Sequence, residues 1–173
     1  MDVMQAINSR RSVRKFTSEP VADDLVEKLI RSAMQAPSAG NQQPWQFIVV
    51  TDRQKLDKIP SFHPYCKMVS QVSTAIVVCG DSRGIKWPDL WPQDCSAAVL
   101  NLLLAARAEE LGAVWTGVYP FEERMQGCRD LFGIPQEIFP FAVIPIGYPK
   151  DKSQAFKEID RFKPELIHRE QFK

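Results

Sequence analysis

The sequence predicts a layered domain of the α/β or α+β class, and three observations carry that prediction. Four short runs rich in β-branched and aromatic residues recur along the chain: WQFIVV at 45–50, TAIVVCG at 74–80, AVWTGVY at 113–119 and FAVIPIGY at 141–148. They are bounded by Gly, Pro or Asp and apolar at most positions, the pattern of strands buried on both faces. Segments of helical length separate the runs, near 53–59, 64–72, 93–111 and 121–132, so strands and helices must stack in layers. Finally, 173 residues with 45% hydrophobic and 25% charged side chains suffice for one domain, spanning 1–173, with a substantial core.

The elements follow in order. Residues 2–9 can form a short helix. Over 22–35 the periodicity is stronger: Leu25, Leu29 and Ala33 recur at helical spacing beside Val26, Ile30 and Met34, with Asp23 and Asp24 at the positive end of the dipole. Pro37 ends this helix. The segment 93–111 contains twelve residues without a charge, Cys95 to Ala106, which is too short to cross a bilayer and of the length of a buried core helix. Its apolar residues lie on nearly every side, so it is either central to the domain or covered by a second subunit, and the second subunit is the favoured reading. Residues 150–173 return to charge and isolated aromatics and read as an extended C-terminal arm.

Composition and missing motifs narrow the function. Lys and Arg total 22 against 21 Asp and Glu, so no global field points to nucleic acid or an anionic membrane, and binding must come from a local site. The four cysteines form no C-x-x-C pair and read as reduced, buried thiols of a cytoplasmic protein; the start, MDVMQAINSRRSVRKF, has no export pattern. With two histidines, His63 and His168, far apart in sequence, no metal site is expected. There is no G-x-G-x-x-G, no phosphate loop with its lysine and no G-x-S-x-G elbow, which argues against Rossmann, P-loop and serine-nucleophile chemistry.

Two segments remain to be explained. RRSVRKF at 10–16 gathers Arg10, Arg11, Arg14 and Lys15 around Ser12 directly after a short helix. Guanidinium forks and a hydroxyl can cradle a phosphate, and a solvated basic stretch is the competing reading. APSAGNQQPWQF at 36–47 spends six positions, Ser38 to Gln43, on small or uncharged polar residues where a turn needs two or three. It is either an ordinary helix-to-strand loop or a loop with a ligand.

RRSVRKF, then APSAGNQQPWQF, then GAVWTGVYP and a terminal IGYPK…DRF…IHREQF together resemble the nitroreductase family of FMN-dependent oxidoreductases, over nearly the whole chain. The resemblance implies an α+β fold with a central mixed β-sheet flanked by helices, in an intertwined homodimer with FMN at the subunit interface. It implies that Arg10, Arg11 and Ser12 meet the FMN phosphate and ribityl chain. Arg14 is expected near the pyrimidine edge, where a fixed cation suits the charge that two-electron reduction places there. Pro37, Ser38, Ala39 and Asn41 are expected to reach FMN held mainly by the neighbouring subunit, since uncharged groups satisfy a buried ligand without stranding a charge. Trp115, Thr116 and Gly117 are expected on the flavin N5 side, and Arg161 at the phosphate; strand-end packing and an exposed arm residue are the competing accounts.

The function so implied is electron transfer from NADH or NADPH, through flavin N5, to an electron-poor small molecule. No catalytic side chain is needed, because the flavin carries the chemistry. A non-catalytic module that binds or senses FMN is the alternative. The segment 81–94, with Trp87 and Trp91, matches nothing diagnostic and reads as a lid or as a surface loop.

Overall fold

The computed structural model describes residues 1–172. Helix α1 (Val3–Ser9) is capped by Asp2, whose carboxylate accepts from the Gln5 N–H, and α2 (Asp23–Ala33) buries Val26, Leu29 and Ala33. Strand β1 (Trp45–Val50) leads to α3 (Arg53–Lys58), which is capped by Asp52. Turns of 3-10 helix over 59–61 and 64–71 precede β2 (Thr74–Asp81). Helix α4 (Trp91–Ala108) is followed by two short strands, β3 (Gly112–Ala113) and β4 (Thr116–Gly117). Helix α5 (Glu122–Phe132), β5 (Ile138–Gly147) and α6 (Lys152–Ala155) complete the order. α5 stops at Gly133, which takes the left-handed conformation (φ 67°) that glycine reaches without a steric penalty.

β5 is central: β2 pairs along one edge of it, β1 continues beyond β2, and β3 and β4 share the other edge. Side-chain alternation puts Ile76, Val78, Ala142, Ile144 and Ile146 into a core with α2 and α4. Ala75, Val77, Cys79 and Val143 enter a second core with α3, α5 and the 3-10 segment. Both faces of β2 and β5 are therefore covered, as the uninterrupted apolar runs predict.

Three expectations are corrected. All pairings between these strands are antiparallel rather than mixed, and among the described residues the parallel element is a single bridge between Ser12 and Ala113. The run 113–119 is two short strands: pairing with β5 lapses at Val114 and Trp115, where the register puts Val114 opposite Pro145, which has no N–H, and β4 ends where Val118 and Tyr119 both donate to the Phe141 carbonyl. The arm after 150 is not wholly extended, for it holds α6 and a 3-10 turn at Pro164–Leu166.

The apolar helix finds its cover mainly within its own chain: α1, α2 and the sheet pack against α4, and Leu103 is buried at 5% exposure. Leu100 is 48% exposed, and Ala97, Asn101, Leu104 and Ala105 are half-buried. No helix among the described residues is long and apolar enough to cross a membrane.

Candidate functional site

The basic segment is fastened to the sheet by its apolar members. Arg10 ends α1 with extended backbone (φ −62°, ψ 127°). From there the Val13 N–H donates to the Ala113 carbonyl at 3.1 Å, Thr17 N–H to Tyr148 at 2.8 Å, and Lys150 N–H to Lys15 at 3.0 Å. Val13 and Phe16 are buried. Gly112 is required at this seam, since a Cβ there would lie 2.8 Å from a Val13 methyl. With the apolar residues turned inward, Arg11, Ser12, Arg14 and Lys15 keep access to the outer side.

Three adjoining cavities run along this side. The first, about 560 Å3, is lined by Arg10, Arg11 and Arg161 together with Ile7, Glu158 and Phe162. The second, about 210 Å3, includes Arg11, Ser12, Arg14 and Lys150. The third, about 530 Å3, holds Arg14, His63, Lys67, Trp115, Thr116, Gly117 and Arg124. Arg11 borders the first two and Arg14 the last two, so the three are neighbours.

The cations along this row are not ion-paired. Among the described residues, Arg10, Arg11, Arg14, Lys67, Arg124 and Arg161 have no carboxylate within 4.0 Å. Burial, then repulsion from Arg11 and Arg161, lowers the Arg10 pKa below the ordinary guanidinium value. Arg11 donates to the Arg10 carbonyl at 2.6 Å and the Asn8 carbonyl at 2.9 Å, while its buried Nε has no partner. Glu158 and Asp160 share the wall of the first cavity and Asp151 that of the second, yet none of them closes an ion pair with these cations, which leaves guanidinium donors for an anion from outside.

At the far end, the Thr116 hydroxyl is not available to a ligand: it donates to the Val143 carbonyl at 2.6 Å and is buried. Only its backbone can contribute. Trp115 leans on Phe141, ring centroids 5.5 Å apart. At Gly117 a Cβ would meet nothing closer than 4.0 Å, so no packing within the chain demands glycine there, and the space is open to an external group.

The polar loop after α2 has a different environment. The buried Asp94 carboxylate, in the first turn of α4, accepts from the Ala39 N–H at 2.9 Å and from Gln42 Nε2 at 2.8 Å. Gln42 also donates to the Trp87 carbonyl and accepts from the Trp87 N–H, both at 3.1 Å, and so fastens the 81–94 segment to the loop. Ser38 Oγ accepts from the Gln43 N–H, and Asn41 Oδ1 accepts from Gln43 Nε2. Pro37, Ser38, Ala39 and Asn41 line none of the three cavities within their own chain.

Sequence reasoning missed His63, Lys67 and Arg124 on the third cavity and Asp94 beneath the loop. Their signal is spatial: no spacing in the sequence joins them to Arg14 or Ala39. His63 is fully buried and neither ring nitrogen closes a hydrogen bond; burial and the nearby Arg124 charge lower its pKa, which favours the neutral imidazole. Burial pushes the Cys66 thiol up to about 11 and those of Cys79, Cys95 and Cys128 to about 12, so none is poised as a nucleophile. Among the described residues, no three His, Cys, Asp or Glu side chains are grouped to hold a metal ion.

Comparison with known proteins identifies the family. Residues 7–72 and 81–148 match the model of the nitroreductase family. A protein of Archaeoglobus fulgidus, provisionally named an NADH dehydrogenase/NAD(P)H nitroreductase, is 48% identical over 172 residues, 99% of either chain. The crystal structure of a provisionally named NADH dehydrogenase/NAD(P)H nitroreductase from Parabacteroides distasonis superposes with a TM-score of 0.92 at 42% identity, covering 98% of each chain. A provisionally named nitroreductase from Desulfovibrio desulfuricans, in complex with FMN, superposes with a TM-score of 0.82 at 31% identity, covering 100% of this chain and 99% of that one.

Proposed function

The chain belongs to the nitroreductase family, and from that premise we propose that it is an FMN-dependent oxidoreductase that passes electrons from NADH or NADPH to an electron-poor small molecule. The observation that carries this reading is the row of neighbouring cavities with unpaired arginines at one end and the open Gly117 backbone at the other. Bound FMN supplies the two-electron carrier between the nicotinamide and the acceptor.

The residues fit that cofactor in distinct ways. Arg10, Arg11 and Arg161 supply fixed positive charge for the phosphate, and Ser12 a hydroxyl donor. Arg14, between the second and third cavities, places a cation beside the pyrimidine edge, where the electron-rich flavin is negative. Trp115 walls the third cavity and Gly117 lets backbone approach a flat ring. Thr116 contributes through its main chain, its hydroxyl being held in the sheet.

The working unit in this reading is a homodimer. Pro37, Ser38, Ala39 and Asn41 can reach flavin only on a second copy, since their own chain puts them elsewhere. The half-exposed Leu100 on α4 is the place where charge tests association without disturbing the chain's own core: Leu100→Glu is expected to separate subunits and release FMN together. Four free, buried cysteines support a cytoplasmic setting, and the nearly neutral charge supports neither nucleic acid nor membrane as a partner.

The test is direct. Purified protein is expected to take up FMN and to bleach near the flavin band when NADH or NADPH is added without air. Protein that takes up no FMN would overturn the reading, and FMN that neither nicotinamide bleaches would leave a binding or sensing module.

A further inference from the structure

The third cavity contains a cation that the roles above do not use. Arg124 sits in the first turn of α5, and its Nη1 donates to the Gly117 carbonyl at 2.9 Å. Its guanidinium carbon lies 4.0 Å from the Phe121 ring centroid and 5.2 Å from that of Tyr65. Glu122 and Glu123 precede it in the chain, yet neither is within ion-pair distance of it. The guanidinium is thus held by one carbonyl and two rings, with donors left over. Around the same cavity stand Lys67, which also lacks a carboxylate, the flat face of Trp115, and the buried His63 imidazole with no hydrogen bond of its own.

Aromatic walls accept a planar ring, and a guanidinium fork matches a carboxylate or sulfonate. The place of Arg124 decides which anion. It is bonded to Gly117, the backbone position assigned to the reacting side of the flavin, so an anion bound there lies on the side where electrons are exchanged. In a nicotinamide coenzyme a ribose separates the phosphates from the hydride, which puts those charges farther out. A small acceptor suits the position better.

We propose that Arg124 is a specificity-determining residue that selects planar acceptors carrying a carboxylate or sulfonate, an inference that rests on the FMN-dependent reading above. Lys67 adds charge to the same end of the cavity, and Tyr65, Phe121 and Trp115 hold the ring.

The experiment compares 4-nitrobenzoate with uncharged 4-nitrobenzamide as acceptors for the FMN-loaded wild type, Arg124→Gln and Arg124→Lys. Using the same two compounds throughout cancels their own difference in reactivity. The ratio of kcat/KM, anion over amide, is expected to fall about tenfold or more in Arg124→Gln, chiefly through KM for the anion, and to fall less in Arg124→Lys. The amide is expected to lose no more than about threefold, as its contacts are with the rings. A readout independent of turnover is calorimetric titration with benzoate, which has the anion and nothing reducible. Wild type is expected to bind benzoate at least about tenfold more tightly than Arg124→Gln does, and benzamide about equally in both. An unchanged ratio, an equal loss for both acceptors, or wild-type protein that fails to prefer benzoate over benzamide would overturn the inference while leaving the FMN reading intact. Wild-type protein that takes up no FMN would fail at the earlier step and remove both.

Discussion

The basic segment at 10–16 and the polar loop at 37–43 both read from the sequence as ligand-binding, and their environments could hardly differ more. In the first, arginines converge without an ion pair, a buried Nε has no partner, and the adjoining space is open. In the second, the main polar groups are already occupied: Asp94, Gln42, Trp87, Ser38 and Gln43 satisfy one another. Polar groups left unpaired by their own fold are arranged for something else, whereas paired ones are first of all structural. On the proposed reading the basic segment is therefore half of a binding site within one chain. The loop is a fastened strut whose ligand, on the proposed reading, belongs to a second copy.

The largest effect should come from loosening the strut. Asp94→Ala strips the acceptor from two donors beneath the loop, and buried groups so orphaned cost about 1–3 kcal/mol each, so a loss of about 2–4 kcal/mol in unfolding free energy is expected. Urea titration with the midpoint and slope both fitted checks it. Arg10→Ala should do the reverse. It is expected to weaken FMN binding by about 1.5–3 kcal/mol, the value of a charge-assisted bond, in a flavin-fluorescence titration. The same variant should not lower the urea midpoint, because it relieves repulsion with Arg11 and Arg161. If both substitutions destabilise and both spare FMN, the contrast between the two regions collapses.

Much of this was legible in the sequence. β1 was read over its observed bounds and β2 and α5 within a residue, because apolar runs closed by Pro, Asp or Gly report strand ends directly. The arginines of the basic segment were legible because charge clustered in sequence stays clustered in space. What was not legible depends on pairing at a distance. The absence of parallel strands follows from how β3, β4 and β2 meet β5, and an apolar run looks the same in either direction. How much of α4 its own chain covers was not legible for the same reason: α1 and α2 lie far away in sequence and fold over it. His63 and Arg124 reach the third cavity from a 3-10 stretch and the start of α5, and nothing local distinguishes them from any other His or Arg.

A smaller effect sharpens the unpaired side of the contrast. The pKa of His63 is lowered in the folded protein, chiefly by burial and next by Arg124, with the Thr116 and Gly117 backbone partly opposing. The unfolded chain then binds this proton more readily, so stability is lost as pH falls through the ordinary histidine value of 6.5 toward the lowered one. Unfolding free energy measured between pH 7 and pH 5 is expected to decline in wild type and to decline less steeply in His63→Gln. Equal slopes would mean that the imidazole finds partners in solution that the fold does not show.

The smallest effect is the most discriminating, because it falls on a loop residue to which both accounts give a definite role. Ser38 Oγ accepts from the Gln43 N–H at 3.1 Å, and Gln43 itself has a positive φ of 49°, so this bond holds a conformation that most side chains avoid. Both groups are partly solvated, and water can take over much of what Ser38→Ala removes. A loss of about 0.5–1 kcal/mol in stability is therefore expected. The hydroxyl also has a proton to donate, and within its own chain Ser38 lines none of the three cavities. If a second copy brings flavin to it, Ser38→Ala should weaken FMN binding severalfold, and Arg10→Ala combined with it should add nearly in full, because the two residues touch different parts of the ligand. Titrating FMN into the single and double variants at equal dimer content measures this. FMN affinity unchanged by Ser38→Ala, with the stability loss intact, would leave the loop as a strut alone and confine the flavin site to the basic segment and the Trp115–Gly117 edge.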